Sequence, residues 1–197
     1  MSPKEAPRAE EKRVRIVNAA TTLFSRYGFK RTSIDLLAAE AGVAKPTVYA
    51  YFKDKDAVFE AVVVAVCEDL IARAEAAGRG RGSIDDRLAG MLAAKFTRYW
   101  ELVQRSPHAQ ELIDSQSRLG AETIARADKA FLRLLAAAIE ESEEVDLTRA
   151  GLTATGLAHL LVRAASGAAY DATTVAAHRK NLTELVRVLM LGVRTDA

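Results

Sequence analysis

The chain has 197 residues, with 28 Lys+Arg, 26 Asp+Glu and a net charge of +2, enough for one sizeable core or for a small domain joined to a larger one. Half of the residues are hydrophobic, and few prolines or glycines interrupt a sequence rich in Ala, Leu, Arg and Glu, a composition that favours helices throughout. The lone Cys67 excludes an internal disulfide and fits a reducing cytoplasm, while the absence of an apolar leader or of a run near ~20 residues excludes a secretory signal and a membrane span.

Residues 1–10, with Pro3, Pro7 and mixed charges, lack a periodic apolar face and are expected to form a flexible basic arm to which Arg8, Lys12 and Arg13 add attraction for a polyanion. From Glu11 the spacing of Ile16, Ala20, Leu23, Phe24 and Tyr27 predicts a first helix ending at Gly28. Thr32 followed by Asp35 reads as a capping box that opens a second helix, which runs to Gly42. Pro46 suits the first position of a third, short helix ending near Phe52. A fourth begins near Asp54 and stops at the Gly78-Arg79-Gly80-Arg81-Gly82 turn. Further helices are predicted from Ser83 to about Gln104, from Pro107, from Gly120 to about Ser142, from Thr148 to Ala169 and from Thr174 to about Arg194. The fold class is therefore all-α.

Charge is unevenly divided. Residues 1–56 carry 11 Lys+Arg against 7 Asp+Glu, a net of +4, and the remainder a net of −2, so the amino-terminal part is the one expected to meet nucleic acid. Ala38, Gly42 and Val48 meet the demands of a helix-turn-helix between Thr32 and Phe52. The alanine allows close helix approach, the glycine takes the tight turn, and the valine packs the second helix inward.

The residues Ile16, Ala19, Ala20, Leu23, Phe24, Tyr27, Gly28 and Phe29, then Thr32-Ser33, then the run Ala41 to Lys55 resemble the DNA-binding domain of tetracycline-repressor (TetR) family regulators. The resemblance covers about residues 11–60 and implies a three-helix DNA-binding domain at 11–56. A fourth helix would join it to a carboxy-terminal effector-binding and dimerisation domain at 57–197. It further implies a cytoplasmic repressor, without cofactor or metal, released from its operator by a small molecule of unknown identity.

On this reading the third helix enters the major groove and presents Lys45, Pro46, Thr47, Ala50 and Tyr51, with Val48 and Phe52 turned inward. Thr47 can address a base edge and a thymine methyl, while Lys45, Tyr49 and Tyr51 reach phosphates. Thr32, Ser33 and Lys55 serve as flanking phosphate clamps. Two positions depart from the family pattern: Ala44 lacks the usual capping hydroxyl and Ala50 the usual larger reading side chain.

One short helix contacts too few base pairs, so a homodimer on a palindromic double-stranded operator is expected. Its interface is assigned to Leu182, Leu185, Val186, Leu189, Met190 and Val193, with Gly156, Ala164, Ala165, Gly167 and Ala168 permitting close helix approach. The effector pocket is assigned to Met91, Phe96, Tyr99, Trp100, Ile113, Phe131, Leu135 and His159, an apolar set with a few polar tips. A di-iron enzyme would want Glu three residues before a histidine, which none of His108, His159 and His178 has. An architectural DNA-binding protein would not need so large an apolar carboxy-terminal part.

Overall fold

Helix α1, Glu5–Tyr27, starts earlier than its apolar stripe because Pro7 lies in the first turn, where a missing N–H costs no hydrogen bond. Six residues of the expected arm are thus helical. The computed structural model describes residues 5–105, 108, 118–148, 150–170 and 172–195. The expected helix at Pro107 and the pocket candidate Ile113 lie outside them.

Seven further helices are found among the described residues: α2 Ile34–Ala41, α3 Lys45–Tyr51, α4 Lys55–Gly78, α5 Ile84–Arg105, α6 Ala121–Glu140, α7 Ala154–Ala165 and α8 Val175–Met190. Most boundaries follow from local chemistry. Gly28 and Gly42 take φ of 82° and 62°, conformations that L side chains avoid. Asp54 Oδ1 accepts from the Ala57 N–H at 2.7 Å, and Ser83 Oγ from the Asp86 N–H at 3.3 Å.

Helix α7 is shorter than its periodicity predicts. Asp146 Oδ1 accepts from both the backbone N–H and the hydroxyl of Thr148, and Gly151 follows at φ 61°. The helix begins only when Thr153 caps the Gly156 N–H at 3.0 Å. A side chain satisfied by its own turn has replaced the first helical turn.

The described residues form two contact units. The first comprises those up to Cys67 with those between Leu102 and Ile124, and the second takes Glu68–Glu101 and the residues from Ala125 onward. The first unit has a core of Ile16, Ala20, Leu23, Phe24, Leu37, Val48, Phe52, Val58 and Phe59. Phe24, Phe29 and Phe59 meet there with ring centroids 5.0 to 5.5 Å apart.

The second unit has its own core, drawn from α4 to α8. It takes in four residues of the expected dimer face. Leu182, Val186, Met190 and Val193 are buried in that core, and Leu185 and Leu189 pack against its edge. Spacings of four, four and three residues put the first four on one stripe, and that stripe fills its own chain's interior. The large apolar side chains that α8 and the turn after it expose are Val188 and Leu191, 67% and 75% accessible.

Candidate nucleic-acid interface

The surface around α3 rests on the joint between α2 and α3. Gly42 donates to the carbonyls of Ala38 and Ala39, and Val43 N–H reaches Ala38 O at 3.0 Å, closing the end of α2 in a Schellman-type turn. Arg15, from α1, donates to Ala41 O at 2.5 Å and Gly42 O at 2.9 Å, the orphan carbonyls of that turn. A Cβ at Gly42 would lie 2.7 Å from the Arg15 Nη2 and displace that guanidinium, while the backbone angle itself favours glycine.

The turn sets the orientation of α3. Val48 is fully buried and Phe52 nearly so, which anchors the helix by one face and leaves Lys45, Pro46, Tyr49 and Ala50 exposed, with Thr47 half-buried. Tyr49 is 49% accessible. Tyr51 departs from expectation: it packs against the first unit's core, one residue ahead of Phe52 and on the same side.

Ala44 is the N-cap of α3 and makes no side-chain cap bond. Ala44→Ser should therefore raise the melting temperature, adding about 1 kcal/mol of stability, a gain that thermal denaturation would detect. Unaltered melting would mean that Pro46 has already preset the turn.

The start of α2 corrects the expected capping box. Ser33 is the N-cap, and its hydroxyl oxygen accepts from the Leu36 N–H at 3.1 Å while the residue stays exposed. Thr32 is fully buried and donates to Gly28 O at 2.8 Å. Because the helix begins one residue later than expected, the inward hydroxyl belongs to the preceding turn and only Ser33 keeps a hydroxyl at the surface. Asp35, freed from the box, instead accepts from Lys45 Nζ at 3.0 Å.

Lys55 is placed differently from a free clamp. Its ammonium donates to the carbonyls of Phe29 at 2.9 Å, Lys30 at 3.3 Å and Thr32 at 3.0 Å, and sits 4.6 Å from the Phe29 ring centroid. An ammonium has three N–H donors, and all three are used. Sequence reasoning missed this, as it missed Arg15. Both partners are carbonyls more than twenty residues away, which no spacing rule reaches.

Among the described residues of the second unit the expected pocket candidates have different surroundings. Phe131 and Leu135 are closed into the core, and Phe96 packs at its edge. Met91 lines a cleft of about 270 Å³, while Tyr99 and His159 are exposed. Aromatics at helical spacing have filled the interior. A larger cleft of about 420 Å³ is lined by Arg73, Gly90, Ala93, Ala94, Thr97, Glu101 and Arg179. Thr97 Oγ1 lies 3.0 Å from His178 Nδ1, and Trp100 stacks on that imidazole at 5.7 Å. Burial pushes the His178 pKa down and keeps the ring neutral.

Comparison with known proteins agrees with this geometry. Residues 16–62 match the family model described as bacterial regulatory proteins, tetR family. The HTH-type transcriptional regulator YhgD of Bacillus subtilis, whose own role is uncharacterised, is 36% identical over 62 residues, 32% of this chain and 32% of that protein. The chain thus matches this curated relative over about a third of its length.

Similarity of fold extends further. A transcriptional regulator from Rhodococcus sp. Rha1 superposes with a TM-score of 0.70 at 19% identity, over 94% of this chain and 99% of that one. SmeT, the repressor of a Stenotrophomonas maltophilia multidrug efflux pump, superposes in its triclosan complex with a TM-score of 0.65 at 18% identity, over 94% and 93% of the two chains. These likenesses show a shared fold.

Proposed function

We propose that this chain, whose residues 16–62 match the tetR-family model, is a tetR-family regulator and a sequence-specific DNA-binding repressor, dimeric on a palindromic operator and released by a small-molecule effector. The observation that carries the reading is α3. It is held by Val48 and Phe52 and turns Lys45, Pro46, Thr47, Tyr49 and Ala50 outward in one cluster. Such a helix, braced by a preceding one across a glycine turn, is how this motif addresses the major groove.

In this reading Thr47 and Pro46 contact base edges, and Tyr49, Lys45 and Ser33 contact phosphates. Thr32, Tyr51 and Lys55 support the surface from behind. Because Ala50 offers so little, DNA shape supplies part of the discrimination. Thr47→Ala is then expected to change the ranking of operator variants, each altered pair shifting by about 1–3 kcal/mol, in binding titrations. Equal losses on every variant would make Thr47 a positioning residue.

A second copy is proposed to dock on the outward side of α7 and α8. On α8 and the turn after it Val188 and Leu191 are exposed beside Ser83 and Asp86, Leu185 and Leu189 are half-buried, and on α7 and the turn after it Gly156, Ala164 and Gly167 are small. The effector is proposed to enter the 420 Å³ cleft, whose volume falls within the range of small-molecule sites. The small side chains of Ala93 and Ala94 lie on its wall. The neighbour SmeT carries triclosan in its complex, a precedent for a small organic molecule on this fold.

The assignment is to binding, not catalysis, in the cytoplasm. Among the described residues no helix is long and apolar enough to cross a membrane. The test is a titration of the purified protein against DNA flanking its own gene and against random duplex at physiological salt. Tighter binding to a palindrome in the flanking DNA supports the reading, and equal affinity for both overturns it.

A further inference from the structure

Asp35 stands out on the proposed DNA surface because it is an acid set among residues that would face phosphates. Its Oδ2 accepts from Lys45 Nζ at 3.0 Å, with the two side chains 69% and 48% accessible. A pair this exposed contributes little to folding, since water solvates both charges almost as well apart. Its effect should therefore lie in what the two charges do to a third party.

Lys45 is the first residue of α3 and sits beside Thr47, the proposed base-reading side chain. The hydrogen bond to Asp35 and the charge of Asp35 hold the Lys45 ammonium above its usual pKa while the pair is closed. To meet a phosphate, Lys45 must exchange Asp35 for it. The carboxylate left behind lies far closer to that phosphate than the Debye length of about 10 Å at 0.1 M salt, so the two repel. This penalty applies to any duplex, because every duplex carries the same backbone.

We propose that Asp35 is a specificity-determining residue of this surface: paired with Lys45, it weakens binding to duplex DNA irrespective of sequence. Base contacts by α3 can outweigh that cost on the cognate site but not elsewhere, so the ratio of specific to non-specific affinity rises. The inference rests on the DNA-binding reading above and adds to it a residue whose role is repulsive.

The experiment compares the full chain with D35N, K45M and the double variant in anisotropy titrations against a random-sequence duplex, between about 50 and about 200 mM salt. Asparagine keeps the shape and polarity at the start of α2 and removes only the charge. D35S serves as a second uncharged variant should D35N fold poorly by circular dichroism.

Loss of the charge is expected to tighten random-duplex binding about threefold or more at the higher salt and to steepen the salt dependence by about 0.9 per subunit, the signature of one more phosphate contact. In the K45M background the change of slope should vanish, because the added phosphate contact is that of Lys45. Unchanged affinity and slope in D35N and D35S would overturn the proposal, as would a steepened slope that survives in K45M. A loss of discrimination at one base pair, with random-duplex affinity unaltered, would also overturn it and make Asp35 a base reader. If the wild-type chain binds no duplex at about 50 mM salt, the DNA-binding reading itself fails and this proposal falls with it.

Discussion

Val186→Asp is expected to unfold the second unit, whereas Val188→Asp, two residues on, should leave it folded and separate the proposed dimer. Val186 is fully buried among Leu182, Met190, Leu157 and Leu161, where a carboxylate has no partner and no water. An uncompensated buried charge costs more than about 4 kcal/mol, comparable to much of a domain's stability. Val188 is 67% accessible and pays no such penalty in its own chain. A charge there instead meets its counterpart across a twofold axis, where like charges repel.

Light scattering and thermal denaturation separate the two outcomes. A monomer with wild-type melting for Val188→Asp, beside an unfolded or strongly destabilised Val186→Asp, supports the outward face as the interface. Should Val186→Asp fold as a stable monomer, the buried stripe would be the dimer face after all.

Lys55→Ala is expected to destabilise the first unit by about 2 kcal/mol, lowering its melting temperature by about 10 °C, and to weaken DNA binding without altering the salt slope. The ammonium satisfies three carbonyls of the 29–32 segment and covers the Phe29 ring, so its removal strands oxygens near the start of α2. Lys55→Met would keep the apolar stem and should recover only part of the loss. A phosphate clamp would behave otherwise: its loss would make the slope shallower by about 0.9 with little change in melting. Measuring both quantities on one variant separates the roles.

These two expectations depend on information of different kinds. The stripe on α8 was legible as apolar from Leu182 to Val193, but periodicity gives a face and not what covers it. Own core and second copy both bury leucines, and only the packing of α7 and α8 with α5 and α6 assigned the stripe to the interior. The helix-turn-helix was legible more fully. Gly28, Gly42, Val48, Phe52 and the uncapped Ala44 all lie where reading along the chain puts them, because caps and turns act over three or four residues.

Thr32 and Ser33 show the limit of that range. Both are hydroxyl residues at the start of a helix, and either can cap it. The choice fell to Ser33 because the Thr32 side chain is drawn inward to Gly28 O. Arg15 and Lys55 show a further limit. Each is a surface-type cation in sequence, and each spends its donors on carbonyls 23 to 27 positions away.

By itself the sequence determined the all-helical class, the turns at Gly28 and Gly42 and the inward Val48 and Phe52 of the helix-turn-helix, since these follow from hydrophobic period and local backbone chemistry. The tertiary structure alone decided which cations are tied to backbone carbonyls, which hydroxyl is exposed at the start of α2 and which residues of α8 are buried in its own core. The reason is physical: a charge or an apolar face takes whichever partner folding brings nearest, and that partner is set by distances in space that separation along the chain does not encode.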